Sequence, residues 1–319
     1  MRVAITGGAG FLGARLARAL LDDDAATADV TTVRLLDRVA PPGDLLADTR
    51  VGALAGDLAQ QLGRDPFVDV DVVVHLAAAV SGECERDFDL GLANNLDLSR
   101  AVFESCRRRA DPLRLVFASS VAVFGATSQH RLPAVVTDDT LPIPQSSYGT
   151  QKFMTEQLLS DYTRRGYVRG RSVRLMTVTV RPGRPNAAAS SFVSGIIREP
   201  LNGDRAVCPV GPATEIAVSS PAMAVTGLMS AITAADESWG SSVAMNLPAL
   251  TVTPREMLAA MDRVTGEPTS ELVDWIVDPA VVGVVATWPA RFRTERAAAL
   301  GLRVDSDFAS IVRAHLGGG

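Results

Sequence analysis

The chain has 319 residues, 31 basic against 36 acidic, and a formal net charge of -5. That mild acidity argues against a nucleic-acid binder, which needs a basic face for phosphates. A composition of 47% hydrophobic and 21% charged residues argues against disorder, and no apolar run approaches the roughly 18 residues that span a bilayer. The length suits one large domain or two closely joined ones. All but one of the basic residues are arginine, and the exception is Lys152. Met1 to Thr6 lead straight into a glycine turn, so no secretory leader is expected. Cys84, Cys106 and Cys208 are odd in number and lack metal-ligand spacing; they read as reduced thiols of a cytoplasmic protein with no metal.

In chain order, Arg2–Thr6 reads as a strand and Phe11–Leu21 as a helix with Leu12, Leu16, Ala19 and Leu20 on one face. Val33–Asp37, Val51–Ala55 and Val72–His75, apolar on both faces, read as strands. Leu90–Arg109 reads as one long helix, Leu113–Ala118 as a strand, Tyr148–Arg165 as a helix and Val173–Val180 as a strand. Alternating strands and helices with near-continuous apolar strands predict a doubly wound parallel sheet of the Rossmann type, covered on both faces. Past residue 182 proline and glycine increase, and helices are expected at Pro221–Thr233 and Pro254–Thr265. The expected division is a nucleotide-binding domain over residues 1–181 and a smaller part, mainly substrate-binding and interleaved with it, over 182–319. The Gly317-Gly-Gly319 end is expected to be loose.

Thr6-Gly-Gly-Ala-Gly-Phe-Leu-Gly13 sits between the first strand and the first helix. Gly7 permits a tight turn, Gly10 lets the backbone approach a pyrophosphate, and Gly13 lets helix and sheet pack closely. Phe11 and Leu12 open the helix whose free N–H groups would meet the phosphates. Asp37 ends the second strand, where its carboxylate would accept from both ribose hydroxyls and repel a 2′-phosphate. That favours NAD over NADP, although Arg38 beside it is a cation suited to a 2′-phosphate. Asp57 and Leu58, after the third strand, are candidates for the adenine end, with a turn role for Asp57 as the alternative.

Three further residues come in an order that suits a dehydrogenase. Ser120 ends a strand, Tyr148 opens a helix, and Lys152 lies four residues on, so Tyr148 and Lys152 share a helix face. Hydride removal from an alcohol needs a base for the hydroxyl proton, and a free tyrosine with a pKa of about 10 is a poor one. A neighbouring ammonium and an oxidised nicotinamide would lower that value. Lys152 would also donate to the nicotinamide ribose, and Ser120 would hold the reacting oxygen near Tyr148.

With these residues together, the chain resembles the extended short-chain dehydrogenase/reductases, the family that includes nucleotide-sugar epimerases. The resemblance rests on the glycine turn, Asp57-Leu58, His75-Leu-Ala-Ala78, Asn95, Ser119-Ser-Val-Ala-Val-Phe-Gly125 and Tyr148-Gly-Thr-Gln-Lys152, and it covers nearly the whole chain. It implies that Ser120, Tyr148 and Lys152 are catalytic, and that Leu76, Ala77 and Ala78 run beside the cofactor. It further implies that Asn95 supports the site and that Pro182 lies near the nicotinamide.

Within that family, Arg181-Pro-Gly-Arg-Pro-Asn186 replaces the epimerases' usual Arg-Tyr-Phe-Asn-like run and puts Arg184 where their asparagine faces the sugar phosphates. A guanidinium there suits a carboxylate. Ser81 could add a hydroxyl contact, and Arg198 is a second carboxylate candidate whose alternative is a helix-end cation. These runs resemble the sugar-acid dehydrogenases of the family and imply oxidation of the C2 hydroxyl of a small acid such as D-erythronate, with NAD. The alternatives are a nucleotide-sugar 4-epimerase and a catalytically silent NAD(H) sensor; the sensor reading is disfavoured because both Tyr148 and Lys152 are kept. The resemblance also implies a homodimer through the two long helices, with Leu92, Leu96, Phe153, Leu158 and Leu159 available for burial.

Overall fold

The computed structural model describes residues 1–22, 30–183 and 187–317. Arg184 and the last two glycines therefore lie outside the described residues, while Gly317 ends the last helix. Strands β1 (Arg2–Thr6), β2 (Thr32–Asp37), β3 (Val51–Ala55), β4 (Val72–His75), β5 (Arg114–Ser120) and β6 (Arg169–Leu175) lie in one sheet. The short β7 (Thr177–Val178), β8 (Ala206–Cys208) and β9 (Ile216–Ser219) lie outside it; β10 (Met245–Asn246) returns to its edge. The order β10-β6-β5-β4-β1-β2-β3 is parallel throughout. The chain winds outward from β1 in one direction and from β4 in the other, which opens a crevice at the carboxyl ends of these two strands.

Side chains alternate across the sheet with the strand period of two. Val3, Ile5, Leu35, Val72 and Val74 join one core, under helices α1 (Phe11–Leu21) and, further along the chain, Pro221–Thr233. Ala4, Leu36, Val73, Leu115 and Phe117 join the other, under helices that carry Phe103 and Leu159. Burying each such aliphatic or aromatic side chain contributes about 1.5–3 kcal/mol, so both faces are committed to packing and function is left to the strand ends.

The expected helix Leu90–Arg109 is broken into pieces. After α2 (Gly43–Ala47), α3 (Leu58–Leu62) and α4 (Ser81–Arg86), the short α5 (Phe88–Gly91) runs into a π-helical stretch, Leu92–Asp97. The regular α6 (Leu98–Arg107) follows. The π stretch is held open by side chains: the Asn95 carbonyl accepts the Ser99 hydroxyl at 2.6 Å and the Thr155 hydroxyl at 3.3 Å. Leu159 belongs to the core under β5 and not to an outer face; the dimer surface expected from sequence cannot use it.

The expected strand Val173–Val180 is also divided. It begins earlier, as β6, and past Met176 its continuation leaves the main sheet. There β7 pairs with β9, which pairs in turn with β11 (Leu250–Val252). α7 (Ser147–Arg164) and α8 (Phe192–Leu201) are followed by α9 (Pro221–Thr233), α10 (Asp236–Trp239) and α11 (Pro254–Thr265). Both proline-led helices occur with the expected bounds. A separate core of Val193, Ile196, Ile197, Met257, Met261 and Ile311 lies beneath α8 and α11.

Gly7 has φ +73°, and a Cβ there would meet the Ala77 amide nitrogen at 2.8 Å. A Cβ on Gly13 would lie 2.2 Å from the Gly7 carbonyl oxygen, a backbone atom that cannot step aside. Gly13→Ala is expected to destabilise the fold by about 3 kcal/mol through overpacking and to abolish tight dinucleotide binding; urea unfolding with and without NAD checks both.

Candidate active site

A cavity of about 430 Å³ occupies the crevice. Gly7, Gly10, Phe11, Leu12 and Gly13 line one end, and Leu76, Ala78 and Ser81 one wall. Ser120, Tyr148, Lys152, Arg181, Pro182, Arg198 and Trp288 line the rest of it. Ala77 backs the glycine turn. Gly10, at the N-terminus of α1, has no side-chain cap, so the first amides of the helix are left for an anion.

Asp37 lies off the cavity wall, at the end of β2. Its carboxylate accepts the Ala9 amide at 3.0 Å and the Arg38 amide at 2.7 Å, which ties the glycine turn to β2. The Arg38 guanidinium donates to Asn94 Oδ1 at 2.8 Å. Asp57 caps α3, accepting from Ala59 at 2.7 Å, and Leu58 is buried in the core beneath it. Asn95 is not on the cavity wall. It is buried behind the Leu76–Ala79 segment, with its side chain accepting the Ala79 amide at 2.8 Å and donating to the Ala79 carbonyl at 3.2 Å. It thus holds that segment at both of its backbone poles.

Tyr148 stands at the start of α7, capped by Ser146, whose hydroxyl accepts the Gly149 amide at 3.1 Å. Ser120 accepts the Ala122 amide at 3.1 Å. Lys152 is buried, donates from Nζ to the Ala118 carbonyl at 2.9 Å, and lies 4.7 Å from the centre of the Phe117 ring. Burial pushes the Tyr148 phenol up to about 12, opposed by a hydrogen bond with Ser120 and by the charge of Arg181. This differs from the expected lowering by Lys152. Lys152 is itself pushed down to about 8 by burial and spends its hydrogen bond on Ala118. The protein alone therefore favours the neutral phenol.

Arg181 is a cavity-lining residue that sequence reasoning did not single out. Its guanidinium is half-buried on the cavity wall and makes no hydrogen bond or ion pair with any described residue. Its backbone is clamped: Ser194 Oγ accepts its N–H at 3.0 Å, and its carbonyl accepts from Arg198 at 2.7 Å. Arg198 also pairs with Glu199 at 2.5 Å, so it serves to hold Arg181 in place. Ser81 Oγ accepts the Ala189 amide at 2.9 Å and keeps its own proton to donate. An arginine next to a proline carries no distinguishing signal in sequence; only the cavity shows which guanidinium lacks a partner among the described residues.

The model of the NAD dependent epimerase/dehydratase family matches residues 3–216. The chain belongs to this family. It is 49% identical over 323 residues to a D-erythronate dehydrogenase of Cupriavidus necator, covering 99% of this chain and 98% of that one. It is 40% identical to a D-erythronate dehydrogenase of Haemophilus influenzae, covering 98% of each. Among solved structures, a nucleoside-diphosphate-sugar epimerase of Agrobacterium tumefaciens superposes with a TM-score of 0.89 at 38% identity, over 100% of this chain and 95% of that one. This family member's seven-stranded parallel sheet and tightly packed glycine turn suit a dinucleotide: a Cβ on Gly7 or Gly13 would strike the backbone around the turn and push it open.

α7 can reach the end of β5 only because Gly149 lacks a side chain: a Cβ there would lie 2.0 Å from the Ala122 carbonyl oxygen. Gly149→Ala should push Tyr148 away from Ser120 and lower kcat about 100-fold, as small misplacements of reacting groups do. Steady-state kinetics alongside a thermal melt checks that the loss exceeds any loss of folded protein.

Proposed function

We propose that this chain is an NAD-dependent dehydrogenase that oxidises the C2 hydroxyl of a small sugar acid, D-erythronate, to 2-oxo-tetronate. It is an oxidoreductase acting on a CH–OH group. The observation that carries the substrate class is the half-buried Arg181 guanidinium on the cavity wall beside Tyr148, unpaired among the described residues. A cation so placed suits a carboxylate one carbon from the reacting hydroxyl. The names of the two curated relatives support the same class.

In this reading the substrate carboxylate pairs with Arg181, and Ser120 and Tyr148 hold the C2 hydroxyl. Tyr148 Oη takes the hydroxyl proton as the C2 hydrogen leaves with its electron pair. Bound NAD supplies the acceptor for that pair and a positive charge that favours the phenolate. Lys152 adds charge and a donor toward the nicotinamide ribose, and Ser120 hydrogen-bonds the oxygen that becomes the ketone. The cofactor would be held by Gly7, Gly10, Phe11, Leu12 and Gly13 at the pyrophosphate and by Asp37 and Asp57-Leu58 at the adenosine end. Leu76–Ala78 and Pro182 would flank it, with Asn95 behind. Asp37 and the engagement of Arg38 with Asn94 support NAD over NADP.

The same reading treats residues 1–181 as the nucleotide-binding domain and 182–319 as mainly the substrate part. It places a homodimer on the α5–α7 face, where Phe88, Leu90 and Met154 are exposed. The three buried free thiols suit a reducing cytoplasm.

A panel of four- to six-carbon aldonic, uronic and hydroxy acids, read by NADH appearance, should give turnover with D-erythronate and far less with NADP. Absence of that turnover, with interconversion of a UDP-sugar, would replace this reading by an epimerase. Arg181→Gln should raise KM for the acid about 10- to 100-fold through loss of a charge-assisted contact, with NAD affinity unchanged by calorimetry.

A further inference from the structure

Tyr148, Lys152 and Glu156 recur at four-residue steps on α7 and so share one helix face. Each meets one of three consecutive residues at the end of β5. Lys152 donates to the Ala118 carbonyl, the Ser119 hydroxyl donates to Glu156, and Tyr148 faces Ser120 on the cavity wall. Glu156 also binds Arg174 of β6 through two contacts, Nε at 2.9 Å and Nη2 at 2.8 Å. Arg174 is the register partner of Ser119 across the β5–β6 pair. The carboxylate is thus fastened to both strands. Its side chain is 2% exposed and that of Arg174 3%.

A buried ion pair is a poor way to gain stability, since two apolar residues of the same volume often serve as well. What apolar residues cannot supply is a fixed negative charge one helical turn from Lys152. The titratable groups facing Lys152 are Tyr148 and Glu156 from α7, Cys84 from α4 and His75 from β4. Burial raises the Cys84 thiol and lowers His75 to about 3, so both are neutral at pH 7. Tyr148 is neutral as well. Glu156 is the anion of the group, with Arg174 as its paired cation.

We propose that Glu156 is a positioning residue of the active site: fastened by Ser119 and Arg174, it sets α7 against the end of β5 and holds Lys152 as an ammonium. The inference rests on Ser120, Tyr148 and Lys152 being the catalytic set. Because Lys152 is the chain's only lysine, lysine labelled with 13C at the ε carbon gives a single titrating NMR signal. The test compares wild type, Glu156→Gln, and the double variant Glu156→Gln with Arg174→Met, which removes the buried cation the single change would strand. In whichever variant folds, by melt and NAD binding, the Lys152 midpoint should fall, by about one pH unit in Glu156→Gln and by less in the double variant, which also removes a cation. There kcat should drop about tenfold or more while KM changes by less than about threefold. An unmoved midpoint, or an unchanged kcat, overturns the proposal, because a role in packing alone would not move the titration of Lys152. Tyr148→Phe is run beside them: if it keeps turnover, the catalytic reading itself fails, whatever Glu156 does.

Discussion

The close seating of α7 on the end of β5 is the constraint on which the site depends. Ser120 belongs to a strand and Tyr148 and Lys152 to a helix, so their geometry is only as good as the contact between the two elements. That contact is made at backbone distance. Gly149 removes the atom that would strike the Ala122 carbonyl, and Lys152 fastens to Ala118 one turn further on. The same logic holds at the other end of the cavity, where Gly7 and Gly13 let the first turn lie against Ala77 and against itself. Both ends of the crevice are shaped by missing side chains, and the groups that carry charge are mounted on what those gaps allow.

Charge is distributed unevenly around this frame. The buried Lys152 and Tyr148 are each driven toward their neutral forms by desolvation. Against that stand the carboxylate of Glu156 near Lys152 and the guanidinium of Arg181 near Tyr148. Arg181 can act on the phenol because its contacts with the described residues are made through its backbone, leaving the guanidinium to the cavity. Arg198, paired with Glu199, keeps the Arg181 carbonyl fixed. One arginine is thus held by another, and the guanidinium of the first is left without a partner among the described residues.

Much of the fold is legible in the amino-acid sequence. The first helix, the first five strands and both proline-led helices follow from apolar periodicity and from proline at the helix start. The departures have local causes. The long helix through Asn95 is interrupted because the Asn95 side chain is spent on Ala79 and its carbonyl on Ser99 and Thr155, partners distant in sequence or hidden on the same helix. The strand after β6 ends because β7 finds a partner in β9, some forty residues later in the chain. Asp57 illustrates a different limit: a helix cap and an adenine contact ask for the same residue type, and the geometry supplies the cap.

By itself the sequence determined the class of sheet and the glycine turn, and it pointed to the proposed Ser120, Tyr148, Lys152 set, because those depend on local spacing and on residue types with few substitutes. The lone lysine among so many arginines singled out Lys152 for the same reason, since a compact ammonium and a planar guanidinium are not interchangeable. Only the tertiary structure decided which charged residues are spent and which are free. Arg181, Arg198 and Arg174 look alike in sequence, yet one faces the cavity with no partner among the described residues, one locks a backbone carbonyl and one neutralises Glu156. Pairing is a matter of distance in space, and partners such as Glu156 and Arg174, or Arg181 and Tyr148, meet only when strand order and helix seating bring them together.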